Sequence, residues 1–215
     1  MKATILILTV EEATIGEMIS AIYNTCDLTL LEEISVVHSR RSAPAYVTWL
    51  KTLENGFPGL NVRVSCQPGS GTGDALFYGF ATARGSHVIA AASDMETDPA
   101  DINRMLLAAN ANPGVIVTAS RRLQKGDLAQ YPLWKKLFGG LFQAFLKVLF
   151  RSKQTDITFP FQCTPMEVFR NYDFAQDHAA FVLELALQPE LSGAPFTEIP
   201  SALGKRKDGV SHTTL

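Results

Sequence analysis

Short apolar runs alternate with longer mixed segments over the first 120 residues of the chain. Ala3–Val10, Ile34–His38, Val62–Cys66, His87–Ala92 and Val115–Ala119 are rich in Val, Ile and Ala and read as buried strands. Thr14–Asn24, Pro44–Asn55, Thr72–Arg84 and Pro99–Ala109 fall between them and read as helices. This alternation predicts an α/β fold, a Rossmann-like, mostly parallel sheet with helices on both faces. Ligands of such sheets bind beyond the C-terminal ends of the strands. Glu11, His38, Gln67, Asp94 and Ser120 stand at those ends and are expected to line one rim.

The alternation stops after Ser120. Tyr131–Arg151 reads YPLWKKLFGGLFQAFLKVLFR, with Trp134, Leu137, Phe138, Leu141, Phe142, Phe145 and Leu149 at helical spacing. Its charges, Lys135, Lys136, Lys147 and Arg151, are all basic. An amphipathic helix of this kind suits a membrane interface. A helix packed on the sheet, or a dimer contact, produces the same spacing. The tail Thr197–Leu215 ends in GKRKDGVSHTTL and reads as a solvated end, or as a flap over an anionic ligand.

Composition narrows the classes. A chain of 215 residues, 47% hydrophobic, suits one full-sized domain with a C-terminal extension. Its net charge of −2 gives no global basic field for nucleic acid. Cys26, Cys66 and Cys163 form no CxxC pair, which argues against structural zinc and a disulfide framework and for a reduced, cytoplasmic compartment. The apolar run in MKATILILTVEE is too short for a signal peptide and reads as a first strand. No run of about 20 apolar residues predicts a membrane-crossing helix.

The candidate chemistry lies in SGTGDALFYGFATARGSHVIAAASDMETDPAD, residues 70–101. Gly71 and Gly73 allow a tight turn at the start of a helix. Asp74 is either a first-turn acid of that helix or a donor contact. Asp94 and Glu96 are two residues apart, a spacing that points both carboxylates the same way on a strand. Such a pair can hold Mg²⁺ or Mn²⁺, and the cation can hold a diphosphate, so a nucleotide-sugar site is expected. Asp98-Pro99-Ala100-Asp101 reads as a helix start: N-cap, proline at the first position, acid in the first turn.

Four stretches and the tail, in this order, resemble a family 2 glycosyltransferase of the polyprenyl-phosphate (dolichol-phosphate) mannose or glucose synthase type. They are GTGDALFYGFATARG at 71–85, SDMETDP at 93–99, SRRLQKGDLAQYPLW at 120–134, TDITFPF at 155–161, and RKDGVS at 206–211. The resemblance implies a GT-A fold and transfer of a sugar from a nucleotide diphosphate, GDP- or UDP-linked, to a polyprenyl phosphate. It implies a peripheral membrane contact through Trp134–Arg151 at the cytoplasmic face, with a separate membrane partner as a further possibility. It divides the chain into a nucleotide-sugar-binding core, 1–130, and an acceptor and membrane-interface segment, 131–215, packed on the same domain.

The resemblance also assigns roles. Asp94, Asp156 and Arg121 become catalytic, and Asp94 and Glu96 the metal ligands. Glu11, His38, Ser39, Gly71, Asp74 and Asp94 face the donor. Arg121, Lys135, Arg206, Ser211 and His212 face the acceptor phosphate, and Asp156 orients the acceptor or a phosphate-binding arginine. A lipid phosphate is ionised at neutral pH, so attack needs no general base and implies direct, inverting displacement. The chain departs from the pattern at Ala92, where an additional aspartate is usual, at His38-Ser39-Arg40-Arg41 in place of D-D-G-S, and at Pro160 in place of glycine. These departures keep open a relative that binds without turnover; a transferase with a soluble or protein acceptor is a separate alternative.

Overall fold

The computed structural model describes residues 1–123, 133–159, 161–171, 180–202 and 204. The five expected strands form: β1 (Ala3–Thr9), β2 (Leu31–His38), β3 (Val62–Cys66), β4 (His87–Ala92) and β5 (Ile116–Ser120). The helices between them are α1 (Ile15–Thr25), α2 (Pro44–Thr52), α3 (Thr72–Thr82) and α4 (Pro99–Ala111). In α1, Ile15, Met18, Ile19 and Ile22 have no exposed surface, at the i, i+3, i+4, i+7 spacing of one helix face. Burial of each such side chain contributes about 1.5–3 kcal/mol. Asp98 caps α4 by accepting from the Ala100 amide at 2.8 Å, with Pro99 at the first position, as its sequence requires.

The sheet continues beyond the alternation. The described residues add α5 (Leu133–Phe150), β6 (Gln162–Pro165), α6 (Met166–Asn171), α7 (Phe181–Leu191) and β7 (Phe196–Pro200). Strand order is β3-β2-β1-β4-β6-β5-β7, with β6 antiparallel between β4 and β5. β7 runs parallel to β5, so the first residues of the expected solvated tail are a strand. Pairing of Gln162–Cys163 with Val117–Thr118 is a long-range event that local patterning does not encode.

α5 forms where the spacing predicts it, but it is not a core helix. Trp134, Leu137, Phe138, Leu141, Phe142, Phe145, Val148 and Leu149 are 49–81% exposed. The buried stripe is narrow: Leu146 packs with Ile157 and Leu187, and Gln143 is 4% exposed. No helix among the described residues is long and apolar enough to cross a membrane.

Candidate active site

Thr9, His38, Cys66, Ala92 and Ser120 end their strands on one edge of the sheet. The order reverses between β1 and β4, which opens a crevice at their C-terminal ends. A cleft of about 1030 Å³ lies on that edge, lined by the ends of β1 and β2 and by the loop before α3. Of the expected donor residues, Ser39, Gly71 and Asp74 line it. Asp94 and His38 do not. His38 is buried, and its Nδ1 lies 2.9 Å from the Ser39 carbonyl. Glu11 is also outside the lining, and accepts from the Ala43 amide at 2.8 Å ahead of α2.

The glycine turn is held rigidly. Gly71 sits at φ 96°, in the left-handed region that favours glycine, immediately before α3. Buried Gln67 donates to the Gly69 and Gly71 carbonyls at 3.2 and 3.3 Å. Asp74 accepts from the Ser70 amide at 2.6 Å, so its carboxylate braces the turn as well as lining the cleft.

Three charged residues of the cleft were not among the expected site residues. Glu12 lines the cleft and accepts from Thr9 Oγ1 and the Val10 amide, both at 2.8 Å. Burial works to raise its pKa, but those hydrogen bonds prevail and hold it below the usual glutamate value. Its signal was faint, a second acid in Thr9-Val10-Glu11-Glu12. Arg40 and Arg41 line the same cleft, and Arg40 reaches the Pro68 carbonyl at 2.9 Å.

Asp94 and Glu96 lie in a turn rather than on a strand, because β4 ends at Ala92. The alternation expected to align their side chains is therefore absent. A different device orders the segment. Asp94 Oδ1 accepts from the Glu96 amide at 3.1 Å, across Met95 at φ 65°. Thr97 Oγ1 accepts from the Ala92 amide at 3.1 Å and closes the turn. A methionine in the left-handed region is costly and persists where its surroundings enforce it. Leu8 pairs with Ala92, and Thr14 Oγ1 donates to the Ser93 carbonyl at 2.9 Å, so the acidic turn abuts the β1 side of the crevice. Asp94 is 7% exposed. No cluster of three or more His, Cys, Asp or Glu suited to a metal occurs among the described residues. Two carboxylates nonetheless fit a hard cation that keeps water and phosphate ligands, as magnesium does.

On the far side of β6, Arg121 and Asp156 meet. Arg121 Nε and Nη2 donate to Asp156 Oδ2 and Oδ1 at 2.7 and 2.9 Å, a two-pronged pair. The Arg121 amide also donates to Oδ2, and the guanidinium lies 4.8 Å from the Phe159 ring centroid. The Asp156 side chain has no exposed surface, whereas that of Arg121 is 19% exposed. Asp156 thus orients Arg121, one of the two roles expected of it. Gln143, also missed, donates to Asp156 Oδ1 at 2.8 Å. It is the one uncharged polar side chain in α5, which was its available signal. Lys135 falls in the first turn of α5, with its side chain outside the described residues. Arg206, Ser211 and His212 lie outside them altogether.

The chain is similar in structure to glucosyl-3-phosphoglycerate synthase from Mycobacterium tuberculosis. Its complex with uridine diphosphate superposes with a TM-score of 0.70 at 16% identity, covering 98% of this chain and 73% of that one. The complex with Mn²⁺, uridine diphosphate and glucosyl-3-phosphoglycerate gives 0.67 at 18%, over 97% and 73%. The complex with Mg²⁺ and uridine diphosphate gives 0.67 at 18%, over 97% and 72%. At this identity the likeness establishes the fold, the GT-A architecture. No curated protein sequence matches the chain. The model of glycosyl transferase family 2 matches residues 4–176, most of the chain and nearly all of the sheet just described, and the protein therefore belongs to family 2 of the glycosyltransferases.

Proposed function

We propose that this glycosyltransferase moves a sugar from a GDP- or UDP-linked donor to the phosphate of a polyprenyl lipid, at the cytoplasmic face of a membrane. The observation that carries the reading is the outward apolar face of α5. Eight large apolar side chains left in water forgo on the order of 10 kcal/mol of burial. No acid occurs from residue 128 to 155, whereas Lys135, Lys136, Lys147, Arg151 and Lys153 do. An apolar face with only basic charges complements an anionic bilayer. The mycobacterial synthase is seen in complex with phosphoglyceric acid, and the lipid reading rests on α5 instead.

In this reading an oxygen of the acceptor phosphate attacks the anomeric carbon. The bond from that carbon to the donor diphosphate breaks, and the nucleoside diphosphate leaves with the electron pair. The acceptor is already ionised, so no proton is removed, and configuration inverts. Arg121, aimed by Asp156, holds the acceptor phosphate, with Lys135, Arg206, Ser211 and His212 assigned to the same anion. Ser39, Gly71 and Asp74 contribute to the donor cleft. Asp94 and Glu96 hold Mg²⁺ or Mn²⁺. When bound, the metal neutralises charge developing on the departing diphosphate.

The test combines flotation on vesicles of mixed phosphatidylglycerol and phosphatidylcholine with transfer assays from GDP-mannose and UDP-glucose. The acceptors compared are a polyprenyl phosphate and 3-phosphoglycerate. Metal-dependent transfer to the lipid, with flotation, supports the reading. Transfer to phosphoglycerate alone, or a stable dimer that does not float, overturns it.

A further inference from the structure

Of the described side chains of α5, Gln143 and Leu146 are buried, and Gln143 is the one that grips the arginine's partner. Gln143 Nε2 donates to Asp156 Oδ1 at 2.8 Å and to Thr158 Oγ1 at 3.0 Å. Its Oε1 accepts from the Ile157 amide at 3.3 Å. Asp156 in turn holds Arg121 through both carboxylate oxygens, and Thr158 Oγ1 accepts from Arg121 Nη2 at 3.3 Å. One side-chain amide therefore joins the exposed apolar helix to both groups that position the guanidinium.

Among the described residues, the other buried side chain of α5, Leu146, packs in a small cluster with Ile157 and Leu187, with Phe150 and Leu183 at its edge, and the Arg122 guanidinium donates to the Gly139 carbonyl at 3.5 Å. A helix held by so narrow a stripe shifts at low cost when its other face is drawn into a bilayer. Any such shift moves Gln143, and a buried carboxylate cannot lose a hydrogen-bond donor without readjusting its remaining partners.

We infer that Gln143 is a positioning residue coupling membrane docking of α5 to the placement of Arg121, so that an anionic bilayer activates the enzyme as well as localising it. The inference rests on the proposed role of Arg121 as the acceptor-phosphate ligand. By linkage, if the bilayer favours the arrangement in which Arg121 is aimed, an acceptor phosphate in turn strengthens bilayer binding.

The experiment uses a water-soluble short-chain isoprenyl phosphate as acceptor, which separates activation from delivery of a membrane-bound substrate. Phosphatidylglycerol–phosphatidylcholine vesicles are expected to lower the wild-type KM for this acceptor by about 5-fold or more, the lower range of measured couplings. The donor KM is expected to stay constant. Gln143→Leu is expected to float with the same vesicles and show no such ratio. In parallel, hydrogen exchange at the Ile157 amide of the wild-type protein is expected to slow when vesicles are added, a measurement that needs neither a variant nor turnover. Equal stimulation of wild type and variant, or vesicle binding that leaves Ile157 exchange unchanged, overturns the coupling. Slowed exchange at Ile157 without transfer to either isoprenyl acceptor leaves the coupling standing and refutes the lipid-acceptor reading.

Discussion

The Gly204 amide donates to the Glu96 carbonyl at 2.8 Å, so the chain beyond β7 returns to lie across the acidic turn. A Cβ at Gly204 would sit 2.7 Å from the Met95 carbonyl oxygen and 3.3 Å from that of Glu96. Both obstacles are backbone, and neither can swing away.

Gly204→Ala is therefore expected to displace the tail or the turn. Overpacking of this kind costs about 1–3 kcal/mol. The sharper readout is nucleotide binding: the thermal shift produced by a nucleoside diphosphate with Mn²⁺ should shrink, while the shift by nucleotide alone should not. An unchanged metal-dependent shift would show that the turn tolerates displacement.

Asp94→Asn retains an oxygen for the Glu96 amide and removes the charge. If the pair holds the catalytic cation, transfer is expected to fall about 100-fold or more, corresponding to the several kcal/mol that a metal contributes. Stability should change little. Chelation with EDTA should match the loss in the wild type and add little to it in the variant.

Breaking the buried pair from the other side has a different signature. Asp156→Ala takes from Arg121 its two-pronged carboxylate partner and removes an acceptor from Gln143. Removal of one partner of a buried pair costs about 3–5 kcal/mol, to be read by urea denaturation. Arg121→Lys keeps the charge without the two-pronged geometry, so acceptor KM should rise while donor KM holds.

Exposed side chains make the interface testable without unfolding the protein. Phe138 and Phe145 are 65% and 59% exposed. Replacing both with glutamate should leave Tm nearly unchanged, since surface substitutions usually stay within about 0.5 kcal/mol. Flotation on anionic vesicles should be lost. Retained flotation would move the contact elsewhere.

Acid sensitivity should originate at the opposite edge of the sheet. Glu33 has no exposed side-chain surface, and its carboxylate meets Arg63 Nε at 3.0 Å and the Arg84 amide at 3.1 Å. Burial works to raise its pKa, but Arg63 and Arg84 prevail and hold it below the ordinary 4.5. A carboxylate with a depressed folded pKa contributes stability above its unfolded value. That contribution is lost as pH falls from 4.5 through the folded value. Glu33→Gln should lower Tm near neutrality and flatten its decline through this acid range.

The legible part of the structure was local. Five strands and four helices followed from runs of Val, Ile and Ala and from caps such as Asp98-Pro99, because each is specified within a few residues. The spacing in α5 was equally plain, but periodicity gives a face and not its destination. Its apolar side turned outward, and Gln143 turned in. β6 and β7 were hidden because their partners lie some 40 to 80 residues away. Asp94 and Glu96 were singled out by residue type, but the strand alternation expected to align them is not there. The strand stops two residues before Asp94, and an aspartate-to-amide hydrogen bond replaces the pleat. Strand ends put His38 and Glu11 on the rim, and the resemblance turned them to the donor, but a strand end fixes an edge and not the direction of a side chain. Glu12, one residue along, lines the cleft instead.

The insertion of β6 between β4 and β5 bears on how the chain is made. β5 has two neighbours in the finished sheet, and both are encoded after it. A nascent polypeptide that has emerged only through Ser120 carries this strand with neither flank paired, an invitation to sticking between chains on the ribosome. The half of the sheet bearing Arg121 closes only after Pro200 is synthesised, so the arginine's station is assembled last.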